Sequence, residues 1–237
     1  NHQSIATQNY VNKTLEYWIE EFHIDGYRWD LTKGFTQNCS GNETCTNSYQ
    51  ADHVQVLKDY ADTQWAADSD FYIVFEHLGS GSSRNEEIEW ANYRLDEGKG
   101  IMFWNKLNYN YNEATMGWNA NSNFSDISYE NIGIPTPRNV GYMESHDEER
   151  LMFKNLAYGN SSGSYDVTNL STALDRMETA GAFFFTVPGP KMIWQFGELG
   201  YDTSIFACSD GTIPNDDSCK LSEKPDGWDF LNETDRT

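Results

Sequence analysis

Basic residues are scarce in this chain of 237 residues, which has 16 lysines and arginines against 37 aspartates and glutamates. The resulting formal net charge of −21 disfavours nucleic acid and anionic membrane surfaces as partners, because both are bound through clustered basic side chains. No run approaches the roughly 18 consecutive apolar residues of a membrane-spanning helix, so no span is predicted. Internal repeats and low-complexity tracts are also missing. These absences indicate an acidic protein of no more than one full domain.

Cysteine is also rare, and its four copies form two close pairs, Cys39 with Cys45 and Cys208 with Cys219. Neither spacing is typical of a zinc site, and each pair brackets a short polar stretch. Such local pairs favour two disulfides, with four free thiols as the alternative. We therefore expect an extracytoplasmic protein that is secreted, periplasmic or located at the cell surface.

Helical and strand patterns alternate along the chain. Apolar residues at helical spacing predict helices over 7–22, 54–65, 84–95 and 170–180. Short apolar runs predict five strands, which end at Asp30, Glu76, Trp104, Met143 and Phe196. Parallel strands need connections long enough to hold a helix, so the alternation predicts an α/β fold with a parallel sheet. The asparagine- and tyrosine-rich residues 105–138 are expected to form a long functional loop.

Three of the predicted strands lead to carboxylates, namely Asp30, Glu76 and Asp147. The carboxyl ends of barrel strands surround one pocket, so these side chains are expected to converge. Glycoside hydrolysis through a covalent intermediate needs one ionised carboxyl group as nucleophile and one protonated group as acid. Arg28 points to the same side of its strand as Asp30 and would lower the pKa of that carboxyl group. An apolar setting would raise the pKa of Glu76.

Four segments, in matching order, resemble motifs of the α-amylase family. They are Gly26 to Asp30 for the fourth strand, Phe75-Glu76-His77 for the fifth, Ser145-His146-Asp147 with Arg150 for the seventh, and Pro188 to Glu198 for the eighth. The resemblance covers nearly the whole chain and implies a partial (β/α)8 TIM barrel, from about helix 3 through strand 8. Residues 1–237 would then be a fragment of one catalytic barrel domain, with 200–237 as a loop region after the last barrel strand.

The resemblance implies two groups of site residues. The catalytic group is Asp30 as nucleophile, Glu76 as acid/base and Asp147 as the carboxylate that helps to distort the sugar ring. The substrate-binding group is Arg28, His146, Lys33 and His77, the last two bordering subsites on the leaving-group side. Three departures from the motifs are Ser145 in place of the usual Asn, Gly34 where many members have His, and Trp194-Gln195 in place of the commoner aromatic pair. The acidic run Glu144, Glu148 and Glu149 is expected to be a solvated loop.

The implied activity is that of a retaining hydrolase of α-1,4-glucans, such as starch and maltooligosaccharides, which works through a glycosyl-enzyme. Two alternatives stay open: an α-glucan transglycosylase or branching enzyme, and a non-catalytic glucan-binding relative. We expect that the chemistry needs no cofactor. The resemblance is compatible with a structural calcium ion, but most of its ligands would lie outside the chain, so the metal-binding residues are unknown. Because three barrel strands would lie outside the chain, we expect the isolated fragment to be unstable or inactive.

Overall fold

Helices and strands alternate in the computed structural model, which describes residues 1–236. The strands are β1 (Gly26–Trp29), β2 (Tyr72–Phe75), β3 (Met102–Lys106), β4 (Asn139–Tyr142) and β5 (Lys191–Met192). The α-helices are α1 (Ile5–Phe22), α2 (Glu43–Thr46), α3 (Ala51–Ala67), α4 (Arg84–Asn92), α5 (Asn108–Met116), α6 (Leu151–Tyr158) and α7 (Leu170–Phe185). Short 3₁₀ helices lie at Thr32–Phe35, Gly81–Ser83, Leu95–Glu97, Asn119–Asn121, Ser125–Ile127, Gly197–Leu199 and Trp228–Asn232.

Within residues 1–236 the five strands form one sheet in the order β1-β2-β3-β4-β5. β1 is parallel to β2, β2 to β3, and β4 to β5, and at least one α-helix lies in the chain between each pair of neighbours. A helical connection is what parallel neighbours require. The predicted α/β class and the partial barrel are therefore confirmed.

Close pairing of β1 with β2 depends on a glycine at the start of β1. The register runs from Gly26 opposite Tyr72 to Trp29 opposite Phe75. A Cβ atom at position 26 would lie only 2.7 Å from the carbonyl oxygen of Tyr72, closer than real Cβ contacts. Only glycine lets the two backbones approach in this way.

The chain divides into two compact units, residues 1–105 with 128–140, and residues 106–127 with the chain from Gly141 onward. The first unit has an aromatic core whose largest fully buried side chains include Trp90, Tyr60, Phe75 and Phe103. The core of the second unit is Leu107, Tyr111, Ile127, Leu151, Ala180 and Phe184. No helix within residues 1–236 combines the length and the apolarity needed to cross a membrane.

The sequence prediction of a long loop over 105–138 is wrong, because α5 lies inside that segment. Asparagine is a poor helix former, and the asparagines of α5 obscure the helical spacing of Leu107, Tyr111 and Thr115. All three of these residues are buried. Packing against α6 and α7, more than local propensity, therefore stabilises the helix.

Both predicted disulfides are present, Cys39–Cys45 in the first unit and Cys208–Cys219 in the second. No free cysteine occurs in the part of the chain that the structure describes. Cross-links of this kind persist in oxidising compartments, so the pairing is consistent with an extracellular protein.

Candidate active site

Asp30 and Glu76 follow directly after two hydrogen-bonded neighbours, β1 and β2. The ladder continues past the strand ends, since the Glu76 amide donates to the carbonyl of Trp29 at 3.0 Å and the Thr32 amide to the carbonyl of Glu76 at 2.9 Å. The register that pairs Trp29 with Phe75 therefore brings the next residues of both strands to the same sheet edge. Two carboxylates that are 46 positions apart in the sequence thus share one site in the first unit.

Arg28 joins these two carboxylates through one guanidinium group. Its Nη1 atom bonds to Asp30 Oδ1, and its Nη2 atom lies 2.8 Å from Glu76 Oε2. The Cζ atom stands 5.4 Å from the centre of the Trp104 ring. Because a guanidinium group is planar and its donors have fixed directions, this single side chain constrains where both carboxylates can point.

The environments of the two carboxylates differ. The Asp30 side chain is 80% exposed, whereas that of Glu76 is 11% exposed. Glu76 Oε2 also accepts a 2.9 Å hydrogen bond from the amide of Leu31, a non-glycine residue with φ of 41°. Asp30 is thus open to a ligand that arrives from solvent, while Glu76 is held in a recess by the arginine and the backbone.

His77 does not occupy the position expected from the motif. Its side chain is fully buried, with Nε2 at 2.7 Å from Glu86 Oε2 and Nδ1 at 2.9 Å from Thr32 Oγ1. A buried imidazole cannot reach a sugar in a cleft, so the geometry does not fit the predicted subsite contact. No sequence pattern indicates this burial, because Glu86 belongs to a separate helix.

Lys33, the other residue expected at the leaving-group side, is partly buried. Its Nζ atom donates a 2.6 Å hydrogen bond to Asn47 Oδ1. Burial lowers the pKa of this amine, although the carboxylates of Glu87, Glu43 and Glu86 oppose the shift. Its position is therefore tied to the loop that follows α2.

His146 and Asp147 lie together in the second unit, on the loop after β4. His146 Nε2 is 3.2 Å from Asp147 Oδ2, and Lys220 Nζ is 3.5 Å from Asp147 Oδ1. Both His146 and Asp147 are about half exposed and open to a ligand. Ser145, the departure from the usual Asn, accepts a hydrogen bond from the Asp147 amide at 3.1 Å, so its hydroxyl shapes the turn that carries Asp147.

Glu144 is not part of a solvated loop, and that prediction is wrong. Its side chain is 5% exposed, and it accepts hydrogen bonds from Arg150 at 3.1 Å and from the Leu151 amide at 2.7 Å. Burial raises the pKa of Glu144, although the Arg150 charge and these hydrogen bonds oppose the shift. Glu149 likewise accepts from Ser204 and Ile205. This acidic run therefore anchors the loop that carries His146 and Asp147.

Buried asparagines at the start of α5 hold the same loop from another side. The Asn108 side chain donates to the carbonyls of Met143 at 2.8 Å and Glu149 at 2.9 Å, and Asn112 donates to Asn108. Sequence reasoning missed these residues. The spacing of Leu107, Tyr111 and Thr115 was the signal that could have revealed their helix.

The structure thus brings together Arg28, Asp30 and Glu76 in the first unit and His146 with Asp147 in the second. Within residues 1–236, no group of three or more acidic, histidine or cysteine side chains could hold a metal ion. We therefore assign no calcium ligands among these residues.

Three solved structures have a similar fold, and their names are those of enzymes that act on α-glucans. A pullulanase type I from Bacillus subtilis str. 168, complexed with maltose, matches 96% of this chain at 15% identity with a TM-score of 0.57. A cyclomaltodextrinase matches 98% at 20% identity with a TM-score of 0.55. A cyclic alpha-maltosyl-(1→6)-maltose hydrolase from Arthrobacter globiformis matches 97% at 16% identity with a TM-score of 0.53.

These likenesses show the fold, which is the partial (β/α)8 barrel of α-amylase-family enzymes. The chain spans 42%, 31% and 30% of the lengths of the hydrolase, the cyclomaltodextrinase and the pullulanase. No protein-family model and no curated protein sequence matches the chain.

Proposed function

We propose that this chain carries the catalytic carboxylates of a retaining glycoside hydrolase of the α-amylase family that acts on α-1,4-glucans. The observation that carries the proposal is the single guanidinium of Arg28 in contact with both Asp30 and Glu76 at the ends of adjacent strands. The order of the four sequence motifs and the similarity in fold to α-glucan hydrolases support the same conclusion.

In the first step, an Asp30 oxygen attacks the anomeric carbon while the bond from that carbon to the departing sugar oxygen breaks. Glu76 gives its proton to the departing oxygen and becomes a carboxylate. In the second step, water loses a proton to Glu76 and its oxygen displaces Asp30 from the anomeric carbon, which restores both groups. Two inversions retain the anomeric configuration.

The exposure of the two groups supports this division of roles. Asp30, which is largely exposed, can reach the anomeric carbon of a bound glucan, whereas Glu76 is recessed and its Oε2 is held by Arg28 and the Leu31 amide. Arg28 orients both carboxylates. We propose that Asp147 and His146 bind sugar hydroxyls and that Lys33 borders the leaving-group side. His77 is fully buried and is not among the proposed sugar contacts.

The two disulfides and the acidic composition fit a glucan-degrading protein that works outside the cytoplasm. We propose an extracytoplasmic location and a neutral polysaccharide or oligosaccharide as the partner. A neutral glucan is compatible with a net charge of −21, whereas polyanions are repelled.

Digestion of maltoheptaose by the full chain, meaning residues 1–237 together with the rest of the catalytic barrel, tests the proposal. We expect new reducing ends that appear first as the α-anomer in NMR spectra. Asp30→Asn should lower kcat/KM by about 10⁴-fold or more, because the covalent intermediate cannot form. Asp25→Asn, an exposed carboxylate just before β1, is the matched control and should keep full activity.

Two other outcomes would overturn hydrolysis as the main activity. Longer or branched products without a net gain of reducing ends would indicate a transglycosylase. Glucan binding with no turnover, unchanged by Asp30→Asn, would indicate a binding protein.

A further inference from the structure

Three ionisable side chains form a buried cluster behind the candidate site in the first unit. The side chains of His53, His77 and Glu86 are 0% exposed. His53 Nε2 lies 3.1 Å from Glu86 Oε1, and His77 Nε2 lies 2.7 Å from Glu86 Oε2. The amide of Gln50 also donates to Glu86 Oε1, at 2.5 Å. Burial of such groups is costly unless each is paired, so their arrangement calls for an explanation beyond packing.

The short distance between His77 and Glu86 identifies them as a buried pair. His77 Nε2 lies 2.7 Å from Glu86 Oε2, and neither side chain is exposed to solvent. Burial by itself raises the pKa of Glu86, but hydrogen bonds from His53 and His77 outweigh burial and bring that pKa below its ordinary value. Glu86 is therefore the anionic partner of the two imidazoles.

This pairing fixes the His77 ring, so that its other nitrogen faces Thr32. His77 Nδ1 is 2.9 Å from Thr32 Oγ1, which is also 3.2 Å from the carbonyl oxygen of Glu76. The His77 ring packs against Trp90 in a T-shaped arrangement, with ring centres 4.9 Å apart at 84°. The ring is thus held at both nitrogens and by an aromatic neighbour, and it has little freedom to rotate.

Thr32 completes the connection to the acid/base. Its amide donates to the Glu76 carbonyl at 2.9 Å, and the preceding amide, that of Leu31, donates to Glu76 Oε2 at 2.9 Å. One short segment therefore holds both the backbone and the carboxylate of Glu76. A continuous chain of polar contacts runs from Glu86 through His77 and Thr32 to Glu76.

We propose that Glu86 and His77 are positioning residues, which act through Thr32 to hold the Glu76 carboxyl group at the angle that proton transfer to the departing oxygen requires. This inference rests on the proposed function. It also gives His77 a role that its burial permits, in place of the contact with sugar. A misplacement of about 1 Å in such a group can cost about 100-fold in rate.

The dependence of activity on the leaving group tests this role. The departing sugar oxygen of maltotetraose needs a proton from Glu76, whereas the fluoride of α-maltosyl fluoride departs with little assistance. The ratio kcat/KM reports the step in which this bond breaks. For Glu86→Gln in the full chain we expect kcat/KM to fall about 10-fold or more on maltotetraose and less than about 3-fold on the fluoride.

Two further variants make the comparison specific. Thr32→Val keeps the volume of a fully buried side chain but removes the hydroxyl, and it should show the same selective loss. Glu87→Gln is the matched control, because Glu87 is the next residue in α4 and is also buried, but it accepts from the Gly79 amide at 2.8 Å and pairs with Arg84. It should leave the ratio of the two activities unchanged.

A second readout does not depend on activity. In ¹⁵N-resolved NMR spectra, the Nε2 proton of His77 should give a strongly downfield signal that persists in Glu87→Gln and disappears in Glu86→Gln. A parallel loss on both substrates, or no loss on either, in an active and folded Glu86→Gln protein would overturn the positioning role and leave the proposed function intact. A wild-type protein that cleaves neither substrate would instead overturn the proposed function and this inference with it.

Discussion

Arg28 determines the geometry of the carboxylate pair at the scale of single residues. Its two terminal nitrogens contact different carboxylates, Asp30 and Glu76, and its charge lies over the Trp104 ring. A lysine ammonium carries the same charge but is a point donor on a flexible stem. The role of this position therefore depends on the shape of the cation as much as on its sign.

Arg28→Lys should lower kcat/KM on maltoheptaose by about 100-fold, because one ammonium cannot hold both carboxylates in their present directions. Steady-state kinetics with the full chain measures the effect. Arg84→Lys is the control, since Arg84 is more exposed and contacts a single carboxylate, Glu87, at 3.1 Å. Loss of less than about 3-fold in Arg28→Lys would show that charge alone is sufficient.

The residues of the motifs could be predicted from the sequence because their spacing reflects local geometry. Arg28 and Asp30 are two positions apart, which places them on one side of an extended chain. The burial of His77 and Glu144 could not be predicted in this way, since it depends on Glu86 from α4 and on Arg150 beyond a turn. From the sequence alone, a polar residue next to a motif is predicted to be solvated, because its partner in the fold is not known.

At the scale of elements, the loop between β1 and α3 is anchored by a carboxylate in the first turn of α3. Asp52 accepts hydrogen bonds from the Thr36 hydroxyl at 2.7 Å and from the Gln37 amide at 2.8 Å. Burial alone would raise the pKa of Asp52, but these hydrogen bonds and that of the His53 amide lower it below its ordinary value of 3.8. Ionised Asp52 therefore stabilises the folded chain.

Asp52→Asn should lower the free energy of unfolding by about 1.5 kcal/mol at pH 7, since hydrogen bonds to a charged acceptor are lost. A carboxyl group whose pKa is lowered on folding stabilises above its unfolded pKa, and this contribution disappears as the pH falls through the folded value. The difference between wild type and variant should thus shrink below about pH 4. Urea unfolding at pH 7 and pH 3 measures it.

The control for this prediction is Asp59→Asn, an exposed position on the same helix, which should change stability by less than about 0.5 kcal/mol. A difference between wild type and Asp52→Asn that stays constant from pH 7 to pH 3 would contradict the assigned role of the ionised carboxylate.

The helices and strands themselves were predictable to different extents. In α1, Leu15 and Ile19 are buried at a spacing of four, so periodicity identified a helix that ends at Phe22 as expected. α4 ends at Asn92 and β5 covers only Lys191–Met192, both shorter than their patterns indicated. α5 was missed because its stability comes from tertiary packing. Local pattern thus predicted the strand-helix order better than it predicted element ends.

At the scale of the whole molecule, excess negative charge opposes folding. The chain has 37 acidic and 16 basic residues. Several of the acidic groups form ion pairs with Arg28, Arg94, Arg150 and Arg236. The remaining carboxylates repel each other across the surface. This repulsion is long-ranged at low ionic strength and is screened within about 10 Å at 0.1 M salt.

Raising NaCl from about 0.02 M to 0.5 M should therefore increase Tm by several degrees, through screening of a net charge of −21. Differential scanning calorimetry of the full chain measures the shift. Choline chloride should act equally well, because a bulky organic cation screens charge without entering a specific cation site. A Tm that is flat or falls with salt would contradict the argument.

The pairing of Trp29 with Phe75 has a consequence for the stereochemistry of the proposed reaction. Neighbouring strands lie about 4.8 Å apart, and a retaining enzyme needs its carboxyl groups about 5 Å apart. The pairing of adjacent strands β1 and β2 is therefore compatible with the carboxyl separation that retention requires. An inverting enzyme needs a gap of about 6.5–9.5 Å, which is wider than the spacing of neighbouring strands. A designer who wants inversion on this scaffold should move one carboxylate to a more distant strand.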